Sequence, residues 1–215
     1  MKVLAVIPAR AGSKSVPGKN LKEFMGQPLL RRAIALCKAV GMDTVVVSSE
    51  DEETLNLAAE WGAIALKRPE ELARDSTPTI PVLKHAYEHF PEHDVIACVQ
   101  CTAPMATPED WLDGFQMMEN ADSDYLLSVY PWTKPIITGK ERFKNEITFV
   151  ARQEKEPRYM IDGQIWACRP RFLDLKPTDP VNVSLLISTE FRVDIDYEED
   201  FVIGEALVKW RENQS

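Results

Sequence analysis

The chain opens MKVLAVIPARAGSKSVPGKN, Met1 to Asn20. Val3 to Ile7 is an apolar run of strand length, and Pro8 to Asn20 breaks it with prolines, glycines and serines. Arg10, Lys14 and Lys19 fall inside that segment and Lys22 lies just beyond. Open α/β sheets place their ligands beyond the carboxyl ends of the strands, where this loop would lie. Gly12 permits close backbone approach, while Ser13 and the neighbouring amides can donate to an anion. Arg10, Lys14 and Lys19 can add charge-assisted bonds. Composition alone allows either a phosphate cradle or a mobile basic loop.

An ATPase phosphate loop is excluded. The pattern GxxxxGK[ST] needs four residues between its glycines and a hydroxyl after its lysine. Here five residues separate Gly12 from Gly18, and Asn20 follows Lys19. Pro17 also removes a backbone N–H from a loop that would have to present such groups.

The rest of the chain alternates short apolar runs with helical patterns, which predicts βαβ units and a mostly parallel sheet. After the first strand comes a helix that Pro28 starts, with Leu29, Leu30, Ala33, Ile34 and Cys37 on one face and Gly41 just past its end, and then a strand at Thr44 to Val47. A helix at Asp51 to Trp61 and a strand at Ala63 to Leu66 follow. A helix at Pro78 to Phe90 should start from a cap built by Asp75, Ser76 and Thr77, and a strand at Val95 to Val99 comes after it. Thr107 before Pro108 reads as the cap of a helix over Asp110 to Glu119, ahead of a strand at Tyr125 to Val129. From Pro131 to about Met160 the rhythm breaks into a polar stretch with strand-like scraps such as Ile136-Ile137 and Ile147 to Val150, and such an insertion is usually functional or an interface arm. Gln164 to Cys168 resumes the core, Val193 to Ile195 looks like a last strand, and Glu198 to Trp210 closes as a helix.

A length of 215 residues suits one domain, 1–215, with that insertion at about 131–160. Net charge is −9, which argues against nucleic acid or an anionic membrane as partner and favours a compact anion for the basic loop. No apolar stretch nears the ~20 residues that span a bilayer. No cleavage site follows Met1-Lys2, and four cysteines fit a reducing compartment, so a cytoplasmic protein is expected. Cys98 and Cys101 form a CxxC with no second pair at ribbon spacing. His85 and His89 stand at i and i+4 without a third ligand, so an exposed helical face is expected there.

The run Ile7-Pro8-Ala9-Arg10-Ala11-Gly12-Ser13-Lys14, then Pro17, then Lys19-Asn20-Leu21, resembles the signature of the acylneuraminate cytidylyltransferases, or CMP-sialic acid synthetases. The related 3-deoxy-manno-octulosonate cytidylyltransferases begin similarly but generally lack the Gly-Ser-Lys and Lys-Asn pairing, and rank second. Further segments agree in order. Arg68-Pro69 through Leu72-Ala73 and Asp75, with Thr77 and Thr79, is similar to a family segment facing the pyrimidine. Gln100-Cys101-Thr102-Ala103-Pro104 resembles Gln-Pro-Thr-Ser-Pro, with Met105-Ala106 where the family often has Leu-Arg. Arg152-Gln153, Tyr159 and Asp162-Gly163-Gln164-Ile165 resemble an Arg-Gln, aromatic, Asn-Gly-x-Ile run, with Asp162 in place of Asn. An ionised Asp only accepts hydrogen bonds, so its partner must differ.

The resemblance implies a three-layer α/β/α nucleotidyltransferase fold with a protruding dimerisation arm and a homodimer. It also implies CTP and a 2-keto-3-deoxy sugar acid as substrates. Arg10 and Lys19 would hold the triphosphate as catalytic groups. Ala9, Ala11, Gly12, Ser13, Lys14, Asn20, Arg68, Thr77 and Thr79 would bind the nucleotide, and Gln100, Arg152, Gln153, Tyr159 and Asp162 the sugar. Near the end, Val193-Asp194-Ile195-Asp196 would put both aspartates on one strand face. Such paired carboxylates suit magnesium, and the alternative is an acidic helix start with Asp196 as cap.

Overall fold

The computed structural model describes residues 1–132, 158–176 and 178–214. In chain order its elements are β1 (Val3–Pro8), β2 (Glu23–Phe24), β3 (Gln27–Pro28), α1 (Leu29–Val40), β4 (Thr44–Ser49), α2 (Glu52–Glu60) and β5 (Ile64–Lys67). Then follow α3 (Thr79–His89), β6 (Val95–Cys98), α4 (Pro108–Asn120), β7 (Tyr125–Trp132), β8 (Arg158–Cys168), β9 (Val183–Ile187) and α5 (Glu198–Glu212). Seven strands form one sheet in the order β5-β4-β1-β6-β8-β7-β9. Only β8 runs against its neighbours.

The alternation of side chains along β1 divides the molecule into layers. Val3, Ala5 and Ile7 face a core shared with α1, α2, α4 and α5, through residues such as Leu30, Ala58, Trp111 and Phe201. Leu4 and Val6 face a second core with Leu83 and Ala86 of α3 and Leu173 of the short helix Pro170–Asp174. This is the three-layer α/β/α arrangement. The chain steps outward from β1 through β4 to β5, then returns on the far side of β1 as β6. The strand order therefore reverses beside β1, and the crevice at such a point is where open sheets bind ligands.

Local signals hold at several ends. The five residues expected on the apolar face of α1, Leu29, Leu30, Ala33, Ile34 and Cys37, are its buried ones. Asp51 caps α2 by accepting from the Thr54 amide at 2.8 Å. Thr107 and Asp110 close a capping box on α4 with Pro108 in its first turn. Other expectations are corrected. Pro78 caps α3 with no side-chain bond, because Thr77 Oγ1 turns back to the Glu71 carbonyl at 3.0 Å and Asp75 pairs elsewhere. Val193 to Ile195 is not a strand. The last strand is β9, which pairs β7 in parallel and was hidden by its polar surroundings. β7 and β8 also run past their expected limits, as the antiparallel ribbon Val129↔Ile161 to Trp132↔Arg158. The insertion's strand-like scraps at 136–137 and 147–150 lie outside the described residues. Among the described residues no helix is long and apolar enough to cross a membrane.

The helix α5 docks through a glycine. A Cβ added at Gly204 would stand 2.8 Å from the Phe24 ring edge. Phe24 is fully buried, so the ring has little room to retreat. Gly204→Ala should cost about 1–3 kcal/mol through overpacking. Chemical denaturation should show a lower midpoint with an unchanged slope, and an unchanged midpoint would contradict this packing.

Candidate active site

The basic loop borders a cavity of about 410 Å3 at the carboxyl end of β1, within the ~300–1,000 Å3 range of small-molecule sites. Pro8, Arg10, Ser13, Lys14, Lys19 and Asn20 line it from the loop. Arg68, Arg74, Asp75, Thr77, Thr79 and Val82 line the opposite wall, and Thr102 and Asp196 complete it. Five basic side chains thus face two acidic ones in a chain whose net charge is −9. A concave wall of one sign focuses the field and draws in polyanions.

The loop is held by its own polar atoms. Asn20 Nδ2 donates to the Arg10 carbonyl at 3.0 Å, and Arg10 Nη1 donates to the Gly12 carbonyl at 2.8 Å. The expected amide cradle is a correction. The Ala9 amide donates to the Ser48 carbonyl and the Ser13 amide to the Ala11 carbonyl, both at 2.9 Å. The Ala11 amide donates to Glu50 Oε1 at 2.9 Å. Ala9, Ala11 and Gly12 do not border the cavity. These residues shape the loop, and the groups aimed at an anion are side chains.

On the opposite wall Arg68 is 3% exposed. Its Nε donates to Ser48 Oγ at 3.1 Å and its Nη2 to the Ser48 carbonyl. Burial pulls the guanidinium below its ordinary pKa, with nearby Glu50 opposing the shift. The end of β4 therefore fixes the plane of the Arg68 guanidinium. Thr77 and Thr79 lie on the same wall.

The carboxyl-terminal segment meets the loop directly. Lys19 Nζ donates to the Ile195 carbonyl at 2.8 Å and to Asp196 Oδ1 at 3.2 Å. The Ile195 amide donates to the Thr102 carbonyl at 2.8 Å. Asp200 accepts from the Asp196 and Tyr197 amides at 2.8 and 2.7 Å, so Asp200 and not Asp196 closes the start of α5. Asp196 is left to the cavity. Asp194 does not share that opening, a correction to the single strand face expected. It borders a neighbouring cavity of about 220 Å3 with Asp162, Asp200 and Arg192. Gly163, at φ 73°, leaves room for it, since a Cβ there would stand 2.9 Å from Asp194 Oδ2.

The donor set fits a hard divalent cation. Asp194 Oδ1 is buried with no hydrogen-bond partner, and burial pushes the carboxyl above its ordinary pKa, opposed by a hydrogen bond from the Thr102 side chain and by Lys19, with Asp196 and Asp200 adding repulsion. A buried carboxylate oxygen without a partner is costly unless an ion meets it. No group of three His, Cys, Asp or Glu that could hold a metal occurs among the described residues. A metal held here would draw its remaining ligands from substrate phosphates and water, as magnesium does.

The expected sugar contacts are placed less uniformly. Gln100 borders a different cavity, of about 290 Å3, between α1 and the 103–108 loop, although Thr102 Oγ1 donates to its Oε1 at 3.4 Å. Tyr159 is exposed on the β7–β8 ribbon, opposite Pro131. Asp162 is a correction: it is buried, and its carboxylate accepts from the Ser128 hydroxyl, the Ser188 hydroxyl and the Gln164 amide. Donors from the protein occupy the acceptor that was expected to meet a sugar. Arg152 and Gln153 lie outside the described residues. Cys98 and Cys101 are buried free thiols, and burial pushes Cys101 up to about 12. The His89 ring donates from Nδ1 to the His85 carbonyl, 2.8 Å away within α3. Sequence reasoning missed Arg74, Thr102 and Asp75 as cavity-lining groups. Asp75 and Thr102 stood inside quoted motifs, and only the fold reveals that their polar atoms turn inward.

A reversed strand order, a basic loop at the switch point and a polar cavity between them define an α/β nucleotidyltransferase. A profile of the cytidylyltransferase family matches residues 4–213, and the chain belongs to that family. It is 28% identical to the CMP-N,N'-diacetyllegionaminic acid synthase of Legionella pneumophila, over 97% of each chain. It is 30% identical to the N-acylneuraminate cytidylyltransferase of Escherichia coli, over 99% of this chain and 54% of that one. The chain thus spans about half the length of the latter. A CMP:2-keto-3-deoxy-manno-octonic acid synthetase solved with CTP superposes with a TM-score of 0.75, covering 98% of this chain and all of the other at 19% identity. A 4-diphosphocytidyl-2C-methyl-D-erythritol synthase from Anaerococcus prevotii gives 0.68, covering 97% and 98% at 15% identity. At those identities the likeness is one of fold.

The Asp194 geometry predicts a trade between stability and function. With its folded pKa above its unfolded one, the folded chain binds more protons, so stability falls as pH rises through that window. The cost is fully present above the folded value. Asp194→Asn should therefore raise the melting temperature of the metal-free protein at neutral pH, by about 2–4 °C for each ~1 kcal/mol relieved. The gain should vanish as pH falls below about 4. A lower melting temperature at neutral pH would show that the carboxylate is already satisfied.

Proposed function

We propose that this protein transfers CMP from CTP to the anomeric hydroxyl of a 2-keto-3-deoxy sugar acid of the nonulosonic type, releasing pyrophosphate. The observation that carries the reading is the meeting of Lys19 with Ile195 and Asp196, in a cavity shared with Arg10, Lys14 and Arg68. Relatives bearing the names legionaminic acid synthase and N-acylneuraminate cytidylyltransferase favour a nonulosonic over an octulosonic acceptor.

In this reading the C2 hydroxyl oxygen bonds to the α-phosphorus in line while the bond from that phosphorus to the β-bridging oxygen breaks. The hydroxyl proton passes to solvent, and no separate base is assigned. Arg10, Lys14 and Lys19 position the triphosphate and take up charge that grows on its oxygens. Arg68, Thr77 and Thr79 read the cytosine, whose O2 and N3 accept and whose N4 donates. Asp194 and Asp196 would hold magnesium, which supplies charge neutralisation and acidifies a bound hydroxyl. Gln100 and the segment around Arg152, Gln153 and Tyr159 would meet the sugar.

We propose further that the protein is a homodimer. Val183, Leu185 and Ile187 of β9 point to one face, in register with Tyr125, Leu127 and Val129 of β7. Those three β9 side chains and Ile161 are exposed, although α4 covers the opposite face. An uncovered apolar patch of this kind marks a protein interface.

Pyrophosphate release from CTP with a panel of nonulosonic and octulosonic acids tests the activity. Turnover with a nonulosonic acid and magnesium is expected, and Lys19→Ala should lower it by about 10²–10³-fold while the fold is retained. Release with none of the acids, or a Lys19→Ala enzyme within a few-fold of the parent, would contradict the reading. Light scattering should report a dimer at micromolar concentration and a shift towards monomer in Leu185→Glu. A monomeric parent would remove the dimer.

A further inference from the structure

We infer that Asp75 is a resident competitor for the phosphate-binding cations, an internal anion that must yield when phosphate arrives and returns when pyrophosphate leaves. The inference rests on the nucleotidyltransfer reading above and adds a function for a residue that reading leaves without one.

Asp75 makes the contacts a phosphate group would make. One carboxylate oxygen pairs with Arg10 Nη1 and the other with Lys14 Nζ, so a single anion bridges two of the cavity's cations. These are the loop's phosphate-facing groups, and all three residues border the cavity. Lys14 is otherwise highly exposed, and Asp75 is the carboxylate that brings it to the wall. Hydrogen bonds from Lys14 and Arg10 hold the Asp75 carboxyl below its ordinary pKa, so the bridge is charged throughout the neutral range.

Among the described residues the Asp75 carboxylate pairs with these two cations alone. Asp75 lies between the short helix Glu70–Leu72 and α3, and it caps neither. The turn is closed by the Thr77 amide on the Arg74 carbonyl at 3.0 Å and by Thr77 Oγ1 on the Glu71 carbonyl at 3.0 Å. The side chain can swing away without undoing a backbone bond. This differs from Asp51, Asp110 and Asp200, whose carboxylates hold helix starts. The bridge is also easily displaced, because exposed ion pairs gain little net stability. A polyphosphate offers the same cations more charge and more acceptors.

Displacement has a consequence. Once moved, the carboxylate remains within a Debye length of the bound phosphates and repels them. Asp75 therefore weakens phosphate binding and hastens its loss, for CTP and for pyrophosphate alike. The other acid on the wall differs, since Asp196 pairs with Lys19 and is assigned to the metal.

Calorimetric titration with CTP and with inorganic pyrophosphate, each with magnesium, tests this on the parent, Asp75→Asn and Asp75→Glu. Asp75→Asn should bind both probes about three- to five-fold more tightly, the size expected from one exposed ion pair. The difference should shrink as salt is raised. Pyrophosphate should become a correspondingly stronger product inhibitor, and Asp75→Glu should return both affinities towards the parent. Unchanged or weaker binding by a folded Asp75→Asn protein would overturn the inference, weaker binding identifying Asp75 as a ligand of nucleotide or metal. Should Asp75→Asn fail to fold, Asp75→Ser provides the same comparison. Failure of the parent to bind CTP at all would instead overturn the underlying function.

Discussion

The ammonium of Lys19 joins the two ends of the chain. It reaches the carbonyl of Ile195 and the carboxylate of Asp196, with only 11% of its side chain exposed. A largely buried ammonium needs its three donors met, and here the carboxyl-terminal segment meets two of them. The bond holds the amino-terminal loop over the cavity and keeps Asp194 to Asp196 beside it. Thr102 completes the tie by accepting from the Ile195 amide, so the end of β6 registers both. The cavity's composition follows: cations from the first strand's loop, acids from the last loop, and a base-reading wall from between.

The fold explains why this place was available. Because the chain returns beside β1 after stepping out to β5, the strand order reverses there, and the crevice at such a point admits a ligand. The cytidylyltransferase family uses this architecture, and in the present chain side-chain charge dominates the anion site. The amides of Ala9, Ala11 and Ser13 hold the loop's own shape, and Arg10, Lys14 and Lys19 are the groups that the proposed reading assigns to phosphate. Asp75 and Asp196 supply the counter-charges to these cations, Asp75 to Arg10 and Lys14 and Asp196 to Lys19.

Much of this was legible in the sequence where one residue's type dictates local geometry. The apolar stripe of α1, the Thr107 capping box and the strand–loop boundary at Pro8 each follow from spacing alone. The resemblance picked out residues that the fold gathers at one opening, Arg10, Lys19, Arg68 and Asp196 among them, while Asp194 turns to a neighbouring one. What sequence could not give was where side chains turn. Asp75 sits where a cap would sit and pairs with the loop instead. Asp162 looks like a ligand group and is consumed by two serine hydroxyls and an amide. The strand β9 was missed because it is a short run, Val183–Ile187, set in polar surroundings on an edge that only β7 supports.

The central claim is that Lys19 and Asp196 act on one ligand, a metal-bound CTP. A double-mutant cycle on CTP affinity in magnesium, with Lys19→Ala, Asp196→Ala and both together, measures this directly. Groups acting on a shared ligand should couple, with the double variant departing from additivity by about 1 kcal/mol or more. Additivity within about 0.5 kcal/mol, the behaviour of independent sites, would contradict the account.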